Sequence, residues 1–243
     1  MEAIEAAAGL VRQRFPDALA AFLGGSVLTD ARTPLSDLDV VVIRPDSRPA
    51  FRETVRHHGW LAELFVSTPT VYDEILSREV AAHRSPLLHM VGGGVVLVDA
   101  EGTGARLHAA AARMLAVGPP RPSTEELEDA RYALTDLLDD LVGAADGGEV
   151  AAIATRVYAE TSRLALMLTG SWLGTGKWLA RRLREADPDG YLALNAALRA
   201  AIAGADATPL RRVAEEVLGR AGGRLMEGYH RDYPSVAARD RGH

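Results

Sequence analysis

The chain has no cysteine among its 243 residues, a single lysine, and only 5% aromatic residues. Without cysteine there is no disulfide, no thiolate nucleophile and no cysteine-ligated zinc. No stretch of about 18 uninterrupted apolar residues occurs, so nothing reads as a membrane-spanning helix. The N-terminal stretch MEAIEAAAGLVRQRF begins acidic and amphipathic, without the basic start and apolar core of a signal peptide. A cytoplasmic location and no membrane partner are therefore expected. Positive charge is also short: 27 basic residues face 33 acidic ones, a net charge of −6. A general nucleic-acid surface needs the opposite balance, whereas an acidic cleft concentrates small cationic ligands. The seven histidines include no pair at His-x-x-x-His spacing, so a histidine metal site is not indicated.

Twenty-six of the basic residues are arginine, and with alanine abundant this suggests a high-G+C coding bias. The one lysine, Lys177, stands out against that bias. It lies in Gly174-Thr-Gly-Lys-Trp-Leu-Ala-Arg181, at the expected start of a helix. An ammonium is a compact point charge suited to phosphate. The segment Gly170-Ser-Trp-Leu-Gly-Thr-Gly-Lys177 is not a P-loop: its spacing differs, and no Ser or Thr follows the lysine. Gly102-Thr-Gly104 likewise lacks the third glycine of a dinucleotide fingerprint.

The most informative stretch is GGSVLTDARTPLSDLDVVVIR, from Gly24 to Arg44. Leu38–Ile43 reads as a valine-rich strand. Alternate residues of a strand share a face, so Asp37 and Asp39 project together at its entrance. Two adjacent carboxylates repel and call for a cation, and an oxygen-only donor set suits magnesium. Gly25 and Ser26, in the turn before them, can present backbone N–H groups and a hydroxyl to a phosphate. Glu63 lies inside a further strand-like run, Trp60-Leu-Ala-Glu-Leu-Phe-Val66.

The rest of the chain divides in two. Ala3–Phe15 has helical periodicity, Leu19–Leu23 reads as a short strand, Pro49–His58 as a helix with His57-His58 at its end, and Leu61–Ser67 as a strand. Thr70–Ala82 is amphipathic, Leu87–Met90 and Val95–Val98 read as short strands, and Ala105–Ala116 as a helix. Gly118-Pro-Pro-Arg-Pro122 is a stiff connector. Beyond it, Ser123-Thr-Glu-Glu126 reads as a capping box. Helices are expected over Glu125–Leu141, Glu149–Leu168, Lys177–Glu185, Gly190–Ala203 and Pro209–His230, with a frayed tail after Tyr233. Short loops between such helices make a bundle. The expected fold class is thus α+β, with domains over 1–117 and 123–233.

Gly25-Ser26, ten intervening residues, and Asp37-x-Asp39 together resemble the signature of the polymerase-β-like nucleotidyltransferase superfamily, with Glu63 as the third acidic residue on a following strand. With its helical C-terminal half, the chain looks like the antibiotic nucleotidyltransferases of aminoglycoside or lincosamide type. The resemblance implies a mixed sheet with flanking helices followed by a helical substrate-binding bundle. It also implies transfer of a nucleoside monophosphate, AMP for choice, from ATP or another nucleoside triphosphate to a hydroxyl of a small cationic acceptor, with release of pyrophosphate. Asp37, Asp39 and Glu63 would hold two magnesium ions, with Glu63 alternatively acting as base. Gly25, Ser26 and Lys177 would bind phosphate, and Glu160 and Asp136 would contact the acceptor from the helical side. Trp172 and Trp178 could wall a sugar or base. A monomer or homodimer is compatible with this scheme. One alternative is a minimal nucleotidyltransferase of the toxin–antitoxin type that modifies a protein. Another rests on Arg224-Leu-Met-Glu-Gly-Tyr-His230, which loosely resembles the Arg-x(4–6)-His pattern of HEPN ribonucleases.

Overall fold

The computed structural model describes residues 1–204 and 206–232. The frayed tail expected after Tyr233 lies outside the described residues. The chain divides into two compact units, Met1–Pro120 and Arg121–His243.

The first unit is built on a five-stranded sheet: β1 (Ala20–Gly24), β2 (Leu38–Ile43), β3 (Phe51–His57), β4 (Trp60–Ser67) and β5 (Val95–Asp99), in the spatial order β3-β4-β2-β1-β5. Only β2 and β4 run parallel; the other neighbours are antiparallel. The pleat divides the sheet's side chains into two sets. Ala21, Leu23, Leu38, Val40, Val42, Ala62, Leu64 and Val66 form one set. They share a core with Ala3, Ala6, Ala7, Leu10 and Val11 of α1 (Ala3–Arg14). The other set includes Asp39 and Glu63. Toward that face lies α3 (Pro86–Gly92), and α2 (Pro69–Ala81) and α4 (Thr103–Val117) pack against α3. A side chain on Gly24 would run into the backbone of Met90 in α3, its Cβ coming 2.7 Å from the Cα, so that glycine sets the approach of the helix to the sheet.

Three expectations are corrected here. Pro49–His58 is not a helix, because Phe51–His57 is the edge strand β3. Its residues alternate between half-buried and exposed, the period of a strand with one covered face. His58 and Gly59 both have positive φ, 48° and 87°, and close a two-residue hairpin in which His57 pairs with Trp60. His57-His58 therefore marks a strand end and a turn. Leu87–Met90 is not a strand but part of α3. Pro86 opens that helix, and Ser85 caps it by accepting from the Leu88 N–H at 3.2 Å. Finally, α9 (Thr208–Arg220) stops ten residues short of His230. Gly222 and Gly223 follow with φ of 105° and 84°, a backbone that cannot continue a right-handed helix.

The second unit holds α5 (Thr124–Gly143), α6 (Gly147–Leu168), α7 (Lys177–Ala186), α8 (Pro188–Ile202) and α9 around one leucine- and alanine-rich core. The capping box at Ser123 forms as expected: Ser123 Oγ accepts from the Glu126 N–H, and the Glu126 carboxylate accepts from the Ser123 N–H. After α9 the chain returns along α5. Arg131 donates to the carbonyls of Gly222 and Gly223, Arg224 pairs with Asp139, and the Tyr132 and Tyr229 rings stack 4.0 Å apart.

The first unit carries a pH dependence of its own. Tyr72 in α2 is 3% exposed, and burial, helped by the nearby Asp73 and Glu79 carboxylates, pushes its phenol from 10.0 up to about 12. The folded state holds the proton through a range in which the unfolded chain releases it. Stability should therefore be unaffected below pH 10 and decline between 10 and about 12. Melting curves across that range should show a smaller decline for Tyr72→Phe than for the wild type.

Candidate active site

Asp37, Asp39 and Glu63 are brought together at one end of the parallel strand pair. Each is half-buried, and one carboxylate oxygen from each lies within 4.8 Å of the others. Two features of the chain produce this. Asp37 and Asp39 share a face because they are two apart along an extended segment, with Leu38 between them fully buried on the α1 side. Asp39 and Glu63 are direct register partners across β2 and β4, so the hydrogen-bond ladder holds them side by side. Gly24 is the partner of Asp39 on β1, and Thr54 the partner of Glu63 on β3. A row Gly24–Asp39–Glu63–Thr54 thus crosses four strands on one face. Three half-exposed carboxylates with oxygen-only donors at this separation fit a divalent cation of magnesium type.

The turn between β1 and β2 closes over the row. Gly25 has φ 85° and ψ −176°, a conformation open in practice to glycine alone. It sits against the Asp39 side chain: a Cβ at Gly25 would collide with Asp39 Oδ2 and lie 3.0 Å from its Cγ. Ser26–Leu28 then makes a single 3₁₀ turn. The first N–H groups of a helical turn have no partner within it. The Ser26 hydroxyl is engaged locally, 3.1 Å from Ser36 Oγ, which also accepts from the Thr33 N–H. Ser26 as a whole is 6% exposed. Leu35, in the same loop, is 94% exposed.

One charged residue at the site escaped the sequence reading. Arg52, on β3, donates from Nη2 to Glu63 Oε2 at 2.6 Å, and its guanidinium lies over the Phe65 ring, 4.7 Å from the centroid. Arg52 faces Phe65 in the β3–β4 register, one step along the same face from Thr54 and Glu63. The helical reading of 49–58 concealed this placement. The signals that reveal it are the alternation of Arg52, Thr54 and Arg56 with Phe51, Glu53 and Val55, and the His58-Gly59 turn.

The remaining candidates belong to the second unit. Lys177 is the first residue of α7 and is exposed. Glu160, on α6, lies 3.9 Å from both Arg156 and Arg163, and Asp136 is exposed on α5. Trp172 is a core residue at 6% exposure, while Trp178 carries Arg181 and Arg182 over its ring, at 4.8 and 5.5 Å. Arg224 binds Asp139, Glu215 and the Thr135 carbonyl, all within its own unit. His230, 82% exposed, contacts Asp232. Neither lies on a helix.

The family comparison agrees with this geometry. Residues 4–86 match the family described as "Nucleotidyltransferase domain", and all three carboxylates and the Gly25-Ser26 turn fall within the match. A solved structure, a nucleotidyltransferase-like protein from Exiguobacterium sibiricum, is similar at 16% identity with a TM-score of 0.46, over 90% of this chain and 77% of that one. No curated protein matches the chain. Residues 4–86 accordingly carry a nucleotidyltransferase domain.

Proposed function

We propose that the protein transfers a nucleoside monophosphate, AMP by preference, from a nucleoside triphosphate to a hydroxyl of a small cationic molecule of aminoglycoside type, releasing pyrophosphate. The observation that carries the reading is the convergence of Asp37, Asp39 and Glu63 within 4.8 Å beside the Gly25 turn, whose φ is 85°. The net charge of −6 supports a cationic acceptor.

Nucleotidyl transfer asks for positioning and charge neutralisation more than for covalent help. Magnesium held by the three carboxylates would supply electrostatic stabilisation of the attacking and leaving oxygens. The chain's own residues do the rest. Asp39, in β2, and Asp37, just ahead of it, set where the triphosphate oxygens sit. Gly25, lacking a side chain, lets the turn approach a phosphate closely. Glu63 completes the metal site on the strand beside Asp39. Lys177, an exposed ammonium at the start of a helix, is assigned to the triphosphate, with Glu160 and Asp136 as acceptor contacts. Lys177→Ala should raise the apparent KM for the triphosphate by about tenfold with little change in kcat, the loss of one charged contact made equally in ground and transition states. An unchanged KM would remove Lys177 from the site.

Mass spectrometry tests the whole reading. The protein is incubated with magnesium, each nucleoside triphosphate, and a panel of aminoglycosides and lincosamides. A drug that gains one nucleoside monophosphate with wild type, but not with Asp39→Asn, establishes donor and acceptor together. A nucleotide found instead on a protein tyrosine moves the acceptor to a protein, as in the toxin–antitoxin type.

A further inference from the structure

Arg52 is an anomaly in a cation-binding site. A guanidinium occupies one oxygen of the carboxylate that should complete the metal site, at 2.6 Å. The placement is built into the fold. The Arg52–Phe65 and Thr54–Glu63 register pairs put Arg52 diagonally across from Glu63 on the site face, and the Phe65 ring, 4.7 Å away, holds the guanidinium there. The pair nevertheless remains partly open to solvent, with side-chain exposures of 64% for Arg52 and 26% for Glu63. Exposed pairs of this kind are weak and readily exchanged. Three carboxylates within 4.8 Å repel one another when no cation lies among them, and Arg52 brings a positive charge directly onto one of the three.

We propose that Arg52 is the counter-cation of the metal-free site, and that a divalent ion entering the carboxylate trio displaces it from Glu63. This rests on the reading of the trio as a metal site. Arg52 acts through Glu63 and is a positioning residue. It offsets one of the trio's three negative charges while no ion is bound, and it competes with the incoming ion for the same carboxylate.

The test is a manganese titration of the full chain followed by electron paramagnetic resonance, with no nucleotide present. Arg52→Met keeps the stem over Phe65 and removes the charge, while Arg52→Lys keeps the charge. Arg52→Met should bind manganese about fivefold tighter than wild type, from the removal of one positive charge a few ångströms from a divalent ion in a largely solvated setting. Arg52→Lys should stay within about twofold of wild type, since the charge is retained. In chelator, Arg52→Met should melt below wild type, and saturating manganese should close that gap, because the ion and the arginine do the same work. Unchanged or weaker manganese binding by Arg52→Met overturns the proposal, the weaker case showing that Arg52 helps orient Glu63 as a ligand. Asp37→Asn separates this failure from a deeper one. If Asp37→Asn titrates as wild type does, the trio is not the metal site, and both readings fall.

Discussion

Asp39→Ala should abolish nucleotidyl transfer while the fold survives. The loss should be roughly three orders of magnitude or more, corresponding to the several kcal/mol that metal stabilisation of transferring oxygens supplies. The structure explains why so little else should change. Asp39 is half-buried at the end of β2, and the sheet core below it is made by Leu38, Val40 and Val42, which face α1. Circular dichroism of the variant should stay near that of the wild type, and without metal its melting point should be equal or higher, since one of three mutually repelling carboxylates is gone; Asp37→Ala should behave alike. Activity of either variant above about a tenth of wild type would show that the carboxylates do not hold the catalytic ions.

Gly25→Ala should damage both stability and turnover, through two separate effects of one methyl group. The backbone at φ 85° and ψ −176° belongs to the region that side chains avoid, costing on the order of 1–3 kcal/mol. The new Cβ would also press on the Asp39 carboxylate, 3.0 Å from its Cγ. Displacement of a catalytic carboxylate by about 1 Å is enough for a hundredfold loss of rate. Gly102→Ala is the control. Gly102 has φ 75°, and a Cβ there would meet nothing within 4 Å, so the variant should lose stability, by about 1 kcal/mol, and keep its kcat. If Gly25→Ala loses stability to the same extent but retains full activity, the turn does not constrain Asp39.

The parts of the site that could be read from the sequence are those set by local geometry. Asp37 and Asp39 needed only the two-residue period of a strand, and Leu38–Ile43 has the composition to form one. Pairing of Glu63 with Asp39 is a different matter. β2 and β4 are parallel neighbours although a whole strand, β3, intervenes in sequence, and no local pattern states that register. Arg52 was lost for a related reason. An edge strand with one solvated face carries charged residues, and Arg52, Glu53 and Arg56 gave 49–58 a helical look. The α3 segment failed in the opposite direction, because a short apolar run such as Leu87–Met90 does not by itself distinguish strand from helix. There the Ser85-Pro86 start was the usable signal. In the second unit, a long polar–apolar period carried the reading of α9 past its true end, where paired glycines break it.

The two-residue hairpin at His58-Gly59 has a consequence for how this site tolerates change. A turn that short has no slack, so one residue inserted there would move β3 by one step against β4 and turn its side chains to the opposite face. Arg52 would then leave the carboxylates and face α1. The alignment of Asp39 with Glu63 would survive, because it is fixed by β2 against β4. The acidic trio and its arginine are thus keyed to different ladders, and a single insertion or deletion at the hairpin could remove the guard without touching what it guards.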